Sequence, residues 1–158
     1  MKWHTYSRLQ NRIPTPRLKS WLQDPGSLTD RLVAKSQGAF RVEVQYQRWG
    51  RARLDEVRAL GIDPRHRVFI REVILYGNNQ AWVQARSILP ASSLDRSLRH
   101  LKRLGSKPLG AILFSDPHMY RGTIEVTATA KGWGRRSLFF IKRQPLLVSE
   151  IFLSTFPP

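Results

Sequence analysis

The chain has 158 residues, of which 41% are hydrophobic, 27 are Lys or Arg and 11 are Asp or Glu, giving a formal net charge of +16. This size and apolar content predict one globular domain over residues 1–158, with a sizeable core. The absence of cysteine excludes disulfides, thiolate metal sites and a thiol nucleophile. It also fits a reducing cytosol. No segment approaches the ~18 apolar residues of a membrane span or resembles a signal peptide, so we expect a cytoplasmic protein.

The positive charge favours an anionic partner, either a nucleic acid, a membrane surface or a small acidic metabolite. A basic helical hairpin at residues 93–114 is one possible nucleic-acid surface. It has few Asn or Gln side chains for base reading, and no aromatic RNA-binding signature accompanies it, so we expect no nucleic-acid partner. The basic residues are dispersed in three clusters: Arg96, Arg99, Lys102 and Arg103; Arg48, Arg51 and Arg53; Arg135 and Arg136.

The first predicted elements are two short helices joined by a Pro-Gly turn. One spans residues 16–23 and stops at Pro25-Gly26. The next begins after Ser27, an N-cap residue that Asp30 follows three positions later. Together they form a helical hairpin. Leu18, Trp21 and Leu22 lie on one side of the first helix, and the apolar residues of the second are Leu28, Leu32 and Val33.

A half-buried strand is predicted over residues 39–49, where apolar and polar side chains alternate. A short helix follows at residues 54–60 and ends at Gly61. Residues 67–76 and 81–90 flank Gly77-Asn78-Asn79-Gln80, which predicts a β-hairpin. On the first strand we expect Phe40, Val42, Val44 and Tyr46 to share the buried face.

A second helical hairpin is predicted after Pro90. Ser92 or Ser93 would cap a helix that carries Leu94, Leu98, Leu101 and Leu104 at helical spacing and ends at Gly105. Pro108 would open a further helix over residues 109–114 in its first turn.

The rest of the chain reads as strand: residues 122–130, 137–141 and 145–153. WGRRS (133–137) is interpreted as a bend before a strand. About six strands, two helical hairpins and no βαβ pattern predict an α+β protein with an antiparallel sheet.

Two charges interrupt apolar strand faces. Arg71 shares a face with Phe69 and Val73, and Glu150 shares one with Val148 and Phe152. A lone charge on such a face costs several kcal/mol unless it is paired or bound to a ligand. One interpretation is therefore structural: an Arg71–Glu150 salt bridge, or a face that is simply exposed.

The other interpretation is a ligand cavity. The second helix of each helical hairpin begins after a tight turn, at Leu28 and at Leu109, where backbone N–H groups are free to bind a carboxylate. If both hairpins cover one face of the sheet, a carboxylate there could bind the guanidinium fork of Arg71 as well.

No metal or organic cofactor is predicted. The four histidines have no ligand spacing and no Gly-rich phosphate loop is present. The histidines are His4, His66, His100 and His118.

A set of motifs resembles the chorismate pyruvate-lyase family in the same order over nearly the whole chain. WGRRS followed by PLL-x-x-E is the most specific part. The set comprises WLQDPGSLTDRL (21–32), IREVILY (70–76), ARSILP (85–90), LGSKPLGAILF (104–114), WGRRS (133–137) and PLLVSEIFL (145–153).

The resemblance implies a six-stranded antiparallel sheet with two helix-turn-helix flaps that cover an internal ligand cavity. It implies an enzyme, active as a monomer without cofactor, that removes pyruvate from chorismate and leaves 4-hydroxybenzoate, the precursor of the ubiquinone ring. By motif match, Arg71 binds a carboxylate, assisted by the backbone of Leu28 and Leu109. Glu150, expected against an apolar wall, is the general acid near the ether oxygen.

Chorismate has two carboxylates. Arg86, Arg135 and Arg136 are candidates for the second carboxylate or for the access route, and Arg135 and Arg136 equally for a structural role. The alternative to an enzyme is a small-molecule-sensing domain of the same fold that binds an aromatic carboxylate without catalysis. Such domains accompany a DNA-binding domain, for which we expect no room in 158 residues.

Overall fold

The computed structural model describes residues 1–95 and 98–158 and is built around one antiparallel sheet. The strand order is β1-β6-β7-β8-β4-β3-β2, and β5 pairs with β7. The described strands are β1 (His4–Thr5), β2 (Phe40–Arg51), β3 (Arg67–Gly77), β4 (Gln80–Pro90), β5 (Met119–Arg121), β6 (Glu125–Thr129), β7 (Gly132–Ile141) and β8 (Gln144–Phe152). The six predicted strands correspond to the six longer ones. The sequence did not predict β1 and β5, because two and three residues are too few to show alternation.

In the described residues, six short α-helices and two 3₁₀ helices accompany the sheet, so the α+β class is confirmed. None of the described helices is long and apolar enough to cross a membrane. The α-helices are α1 (Tyr6–Leu9), α2 (Pro16–Gln23), α3 (Leu28–Lys35), α4 (Leu54–Leu60), α5 (Ala91–Leu94) and α6 (Leu109–Ser115); the 3₁₀ helices are Gln10–Arg12 and Arg99–Arg103.

Helices α2 and α3 form the first predicted hairpin, which we call flap 1. Thr15 Oγ1 accepts a 3.1 Å hydrogen bond from the amide of Leu18, and Ser27 Oγ accepts one of 3.2 Å from the amide of Asp30. These N-caps satisfy amides that the helices cannot pair. Of the apolar residues of α3, Leu28 and Leu32 are buried and Val33 is exposed. Thr29, one turn before Leu32, is buried as well.

Strands β3 and β4 form the predicted hairpin. Asn78 and Asn79 have φ angles of 51° and 61°, the conformation that a two-residue type I′ turn requires.

A β-bulge between Val44 and Tyr46 corrects the predicted face of Tyr46. Val44 pairs with Val73, but Tyr46 pairs with Glu72 and Gln47 with Arg71. The extra residue turns Tyr46 to the opposite face of the sheet and brings Gln47 next to Arg71.

The second hairpin, residues 91–115, is called flap 2. Its predicted single first helix is wrong in the described residues: α5 and a 3₁₀ helix take its place, and residues 96 and 97 lie outside those described. Pro90, not a serine, is the N-cap of α5, while Ser93 Oγ donates to the carbonyl of Pro145. Pro108 is likewise the N-cap of α6 and not part of its first turn. The predicted leucines are nevertheless all buried: Leu94, Leu98, Leu101 and Leu104.

The predicted bend at residues 133–137 is wrong, because β7 begins at Gly132 and is continuous through this segment. A Cβ atom on Gly132, whose φ is 145°, would overlap the carbonyl of Phe152. A Cβ on Gly134 would collide with the side chain of Ile151. The glycines therefore allow β7 and β8 to approach closely, rather than breaking the strand.

The sheet has two covered faces. One face, which we call the cavity face, carries Arg71, Ser87, Glu150 and Arg135, on β3, β4, β8 and β7. Arg71 pairs with Ser87 and Glu150 with Arg135, and the two pairs are offset by two residues along the strands, since Ser87 pairs with Val148. Flap 1 packs there on an apolar cluster that includes Trp82, and flap 2 on one that includes Leu146. Helix α4 covers the other face, over Val68, Ile70, Ile88 and Leu147.

Candidate active site

A cavity of about 50 Å³ lies between the two flaps and the cavity face of the sheet. At ~10–15 Å³ for each water molecule, it has room for only a few of them. Arg71, Glu150, Leu28 and Leu109 all line this cavity. The fold thus brings together four residues that lie on β3, β8, α3 and α6 and are far apart in sequence.

Arg71 lies at the flap 2 side of the cavity and is 2% exposed. Its Nη1 donates to Gln47 Oε1 at 3.1 Å and to the carbonyl of Gly105 at 2.8 Å, and its Nη2 donates to the carbonyl of Lys107 at 2.9 Å. Burial lowers the pKa of Arg71. No carboxylate of the described residues forms an ion pair with it, so the predicted Arg71–Glu150 salt bridge is wrong, as is an exposed face.

Glu150 forms an ion pair with Arg135 instead. Arg135 Nε donates to Glu150 Oε2 at 2.6 Å, and its Nη1 donates to the carbonyls of Trp21 at 2.9 Å and Asp24 at 2.8 Å. The two residues are direct cross-strand neighbours on β7 and β8. Apolar side chains such as Val73 and Val148 line the same cavity as Glu150, but the carboxylate does not face an apolar wall alone. The carboxylate is held by a buried guanidinium that also binds flap 1.

Arg86 faces the side of the sheet opposite the cavity. It pairs with Glu56 at 2.6 Å and with Glu72 at 2.8 Å and donates to Tyr46 Oη at 3.1 Å. Burial opposes the charge, but the hydrogen bonds with the two carboxylates outweigh it and raise the pKa of Arg86. Arg86 is therefore structural, and its predicted role at the second carboxylate or the access route is wrong.

Arg136 follows Arg135 directly on β7 and therefore points to the opposite face of the sheet, the face that carries Arg86. It pairs with Glu125 at 2.7 Å and with Asp55 at 3.0 Å. Arg136 is therefore also structural, and of the three candidates for the second carboxylate only Arg135 lines the cavity.

The amides of Leu28 and Leu109 belong to the first residues of α3 and α6. Amides at such positions have no partner within their own helix. The two helix starts lie side by side. Gly110 is so close to Thr29 that a Cβ atom added to this glycine would lie only 3.0 Å from Thr29 Oγ1. Glycine at position 110 therefore lets flap 2 approach flap 1 where both meet the cavity.

Arg121 also lines the cavity and was not predicted from the sequence. Its Nε donates to Ser137 Oγ at 3.0 Å, and its guanidinium lies 5.0 Å from the ring centroid of Phe139. Burial, together with the nearby charge of Arg135, lowers the pKa of Arg121 to about 10. Only the pairing of the short strand β5 with β7 brings Arg121 to the cavity, and no local sequence pattern signals it.

The cavity combines three guanidinium groups and one carboxylate with an apolar lining. Such a site suits a small anion that carries an apolar ring, and the carboxylate can transfer a proton. Among the described residues, no three His, Cys, Asp or Glu side chains gather as metal ligands would. The apolar lining includes Val42, Val73, Leu75, Leu113, Phe114, Phe139 and Val148.

Comparison with protein families gives a match to the family described as chorismate lyase over residues 1–157. A protein of Pseudomonas aeruginosa (strain UCBPP-PA14), described as a probable chorismate pyruvate-lyase, is 42% identical over 88% of this chain and 84% of its own. A protein of Pseudomonas putida with the same description is 41% identical over 96% of this chain and 87% of its own.

Solved structures resemble the fold at much lower identity. The C-terminal domain of the histidine utilization repressor from Pseudomonas syringae pv. tomato has a TM-score of 0.58 and 14% identity, and covers 75% of this chain and 94% of its own. The effector domain of PhnF from Mycobacterium smegmatis has a TM-score of 0.55 and 16% identity, and covers 84% of this chain and 93% of its own. These likenesses concern the fold alone.

Proposed function

The chain belongs to the chorismate lyase family and converts chorismate to 4-hydroxybenzoate and pyruvate, and we propose that the reaction takes place in the cavity between the two flaps. One observation carries this proposal: Arg71, Leu28, Leu109 and Glu150, which the family motifs single out, line the same cavity. The product is the aromatic precursor of the ubiquinone ring.

Arg71 and the two helix starts bind the ring carboxylate of chorismate. Arg71 is buried and has no carboxylate partner among the described residues, so a ligand carboxylate would compensate its charge. The amides of Leu28 and Leu109 donate to the same carboxylate from the flap side. A charge-assisted fork with two backbone donors fixes the orientation of the ring as well as its charge.

The reaction breaks a carbon–oxygen bond and a carbon–hydrogen bond of the ring, and it transfers one proton. The carbon–oxygen bond between the ring and the enolpyruvyl group breaks, and its electrons leave with the oxygen. The hydrogen on the hydroxyl-bearing ring carbon leaves as a proton, and the electrons of its bond complete the aromatic ring. The leaving group takes up a proton and becomes pyruvate. Aromatisation supplies most of the driving force.

Glu150 carries this proton. The ion pair with Arg135 at 2.6 Å holds the carboxylate in place, so that it can accept the proton from the ring carbon and deliver a proton to the departing oxygen. General acid–base groups contribute about 10²–10⁴-fold to rate. Arg135 acts through Glu150, as a positioning residue. After the reaction, Glu150 accepts a hydrogen bond from the phenol of the product.

The flaps exclude water from the reacting groups. In this structure the cavity is too small for an aromatic ring with its substituents, so binding and release need a flap to open. Both flaps come from the same chain, in keeping with an active monomer. The cysteine-free sequence is in keeping with the cytoplasm.

The second candidate function is that of a ligand-sensing domain, which the likeness to effector domains of regulators favours. Incubation with chorismate separates the two. A lyase produces 4-hydroxybenzoate and pyruvate in equal amounts, whereas a sensor binds an aromatic carboxylate and produces neither.

A further inference from the structure

We propose that Arg121 binds the second carboxylate of the substrate, the one on the enolpyruvyl group. This inference rests on the proposed function of the cavity and adds a substrate-binding residue to it. It assigns Arg71 and Arg121 to the two ends of one ligand.

The positions of the two arginines fit this assignment. Arg71 is on β3 and Arg121 on β5, with β4, β8 and β7 between them. Four steps of about 4.8 Å place their backbones roughly 19 Å apart across the sheet. Both side chains line the same cavity, so they approach it from opposite sides. Glu150, on β8, lies on a strand between them, where the bond between the ring and the enolpyruvyl group would be.

The charges of the cavity match those of the substrate. Its charged lining residues are Arg71, Arg121, Arg135 and Glu150, a net charge of +2. Arg135 forms an ion pair with Glu150 at 2.6 Å, so their charges compensate each other. In the described part of the chain neither Arg71 nor Arg121 forms an ion pair, so one guanidinium remains for each carboxylate of the chorismate dianion.

The guanidinium of Arg121 has N–H groups that its protein contacts do not satisfy well. Its Nε donates to Ser137, and its Nη1 lies 3.2 Å from the carbonyls of both Asp24 and Pro25 and 3.5 Å from that of Gly26. These three contacts are long for a charged donor. Within residues 1–95 and 98–158 no acceptor is found for its Nη2. The pKa of Arg121 is lowered because burial and the charge of Arg135 disfavour its charged form. A bound carboxylate would stabilise that charged form.

The product provides the discriminating test, because 4-hydroxybenzoate lacks the enolpyruvyl carboxylate. The experiment uses the full chain with Arg121→Gln and Arg121→Lys. It measures kcat/KM for chorismate, the affinity for 4-hydroxybenzoate by calorimetry, and thermal unfolding. Loss of a buried charge-assisted contact predicts that Arg121→Gln lowers kcat/KM about 30-fold or more. The affinity for 4-hydroxybenzoate should change less than about threefold, and Arg121→Lys should recover part of kcat/KM.

The alternative role of Arg121 is only to hold the turn of flap 1 through its carbonyl contacts. In that case chorismate turnover and product affinity would fall together, and the inference would be wrong. Unchanged kcat/KM in the folded Arg121→Gln variant would overturn it as well. If the unmodified protein made no 4-hydroxybenzoate, the proposed function itself would fail. An active parent with an equally active Arg121→Gln variant would remove this inference alone.

Discussion

Arg135 Nε lies 2.6 Å from Glu150 Oε2, and the same guanidinium donates to the carbonyls of Trp21 and Asp24 in flap 1. Arg135 is 1% exposed, so water does not replace these partners. The proposed proton carrier is therefore tied to flap 1 through one buried cation. The position of the carboxylate and the closure of the flap depend on the same residue.

The first prediction concerns this pair. Arg135→Met should destabilise the fold by about 3 kcal/mol, since it leaves Glu150 without its cation. The same change should cost less in a Glu150→Gln background, with a coupling free energy of about 0.5–3 kcal/mol. Urea unfolding of the parent, both single variants and the double variant measures it. Strictly additive effects would mean that the contact contributes nothing.

The second prediction concerns Arg71. Arg71→Ala should weaken 4-hydroxybenzoate binding by about 2–5 kcal/mol, because the ring carboxylate loses a buried charged partner. Turnover of chorismate should fall with it. The matched control is Arg67→Ala on the same strand, since Arg67 is exposed and does not line the cavity. Undiminished product affinity in a calorimetric titration of Arg71→Ala would exclude this role.

The third prediction is slow release of product. A ligand beneath two closed flaps can leave only when one of them opens. Progress curves with chorismate should therefore bend early, and added 4-hydroxybenzoate should slow the reaction from its start. Linear progress curves in the presence of excess 4-hydroxybenzoate would contradict a closed product complex.

The fourth prediction concerns metals. The proposed steps use guanidinium groups, backbone amides and one carboxylate of the chain itself. Turnover should be unchanged after dialysis against EDTA. Activity that is lost on chelation and returns with a divalent cation would contradict the mechanism.

Local sequence signals predicted much of the fold. The cap at Ser27, the Pro-Gly stop at residues 25–26 and the asparagine pair at the β3–β4 turn act over a few residues, so the helices of flap 1 and this hairpin could be derived. The six long strands followed from alternation, which depends only on neighbouring side chains. Arg71 and Glu150 were found because a charge on an apolar strand face stands out locally.

The errors arose where distant parts of the chain decide the structure. The face of Tyr46 depends on a bulge that only the pairing with β3 reveals. Gly132 and Gly134 suggested a bend, but they are required by the closeness of β8. The partner of Glu150 follows from the register of β7 with β8. Arg121 lies on a three-residue strand and had no local signal at all.

The most direct test of the account is a comparison of chorismate turnover in the parent and in Glu150→Gln, with product binding and thermal unfolding measured on the same samples. Glutamine keeps the size and hydrogen-bonding reach of the side chain but cannot carry the proton. Glu43→Gln, at an exposed acid outside the cavity, is the control and should behave as the parent does. If Glu150 carries the proton, we expect a folded Glu150→Gln variant that still binds 4-hydroxybenzoate but turns over chorismate about 10²–10⁴-fold more slowly. A folded variant that binds product and retains near-normal turnover would contradict it.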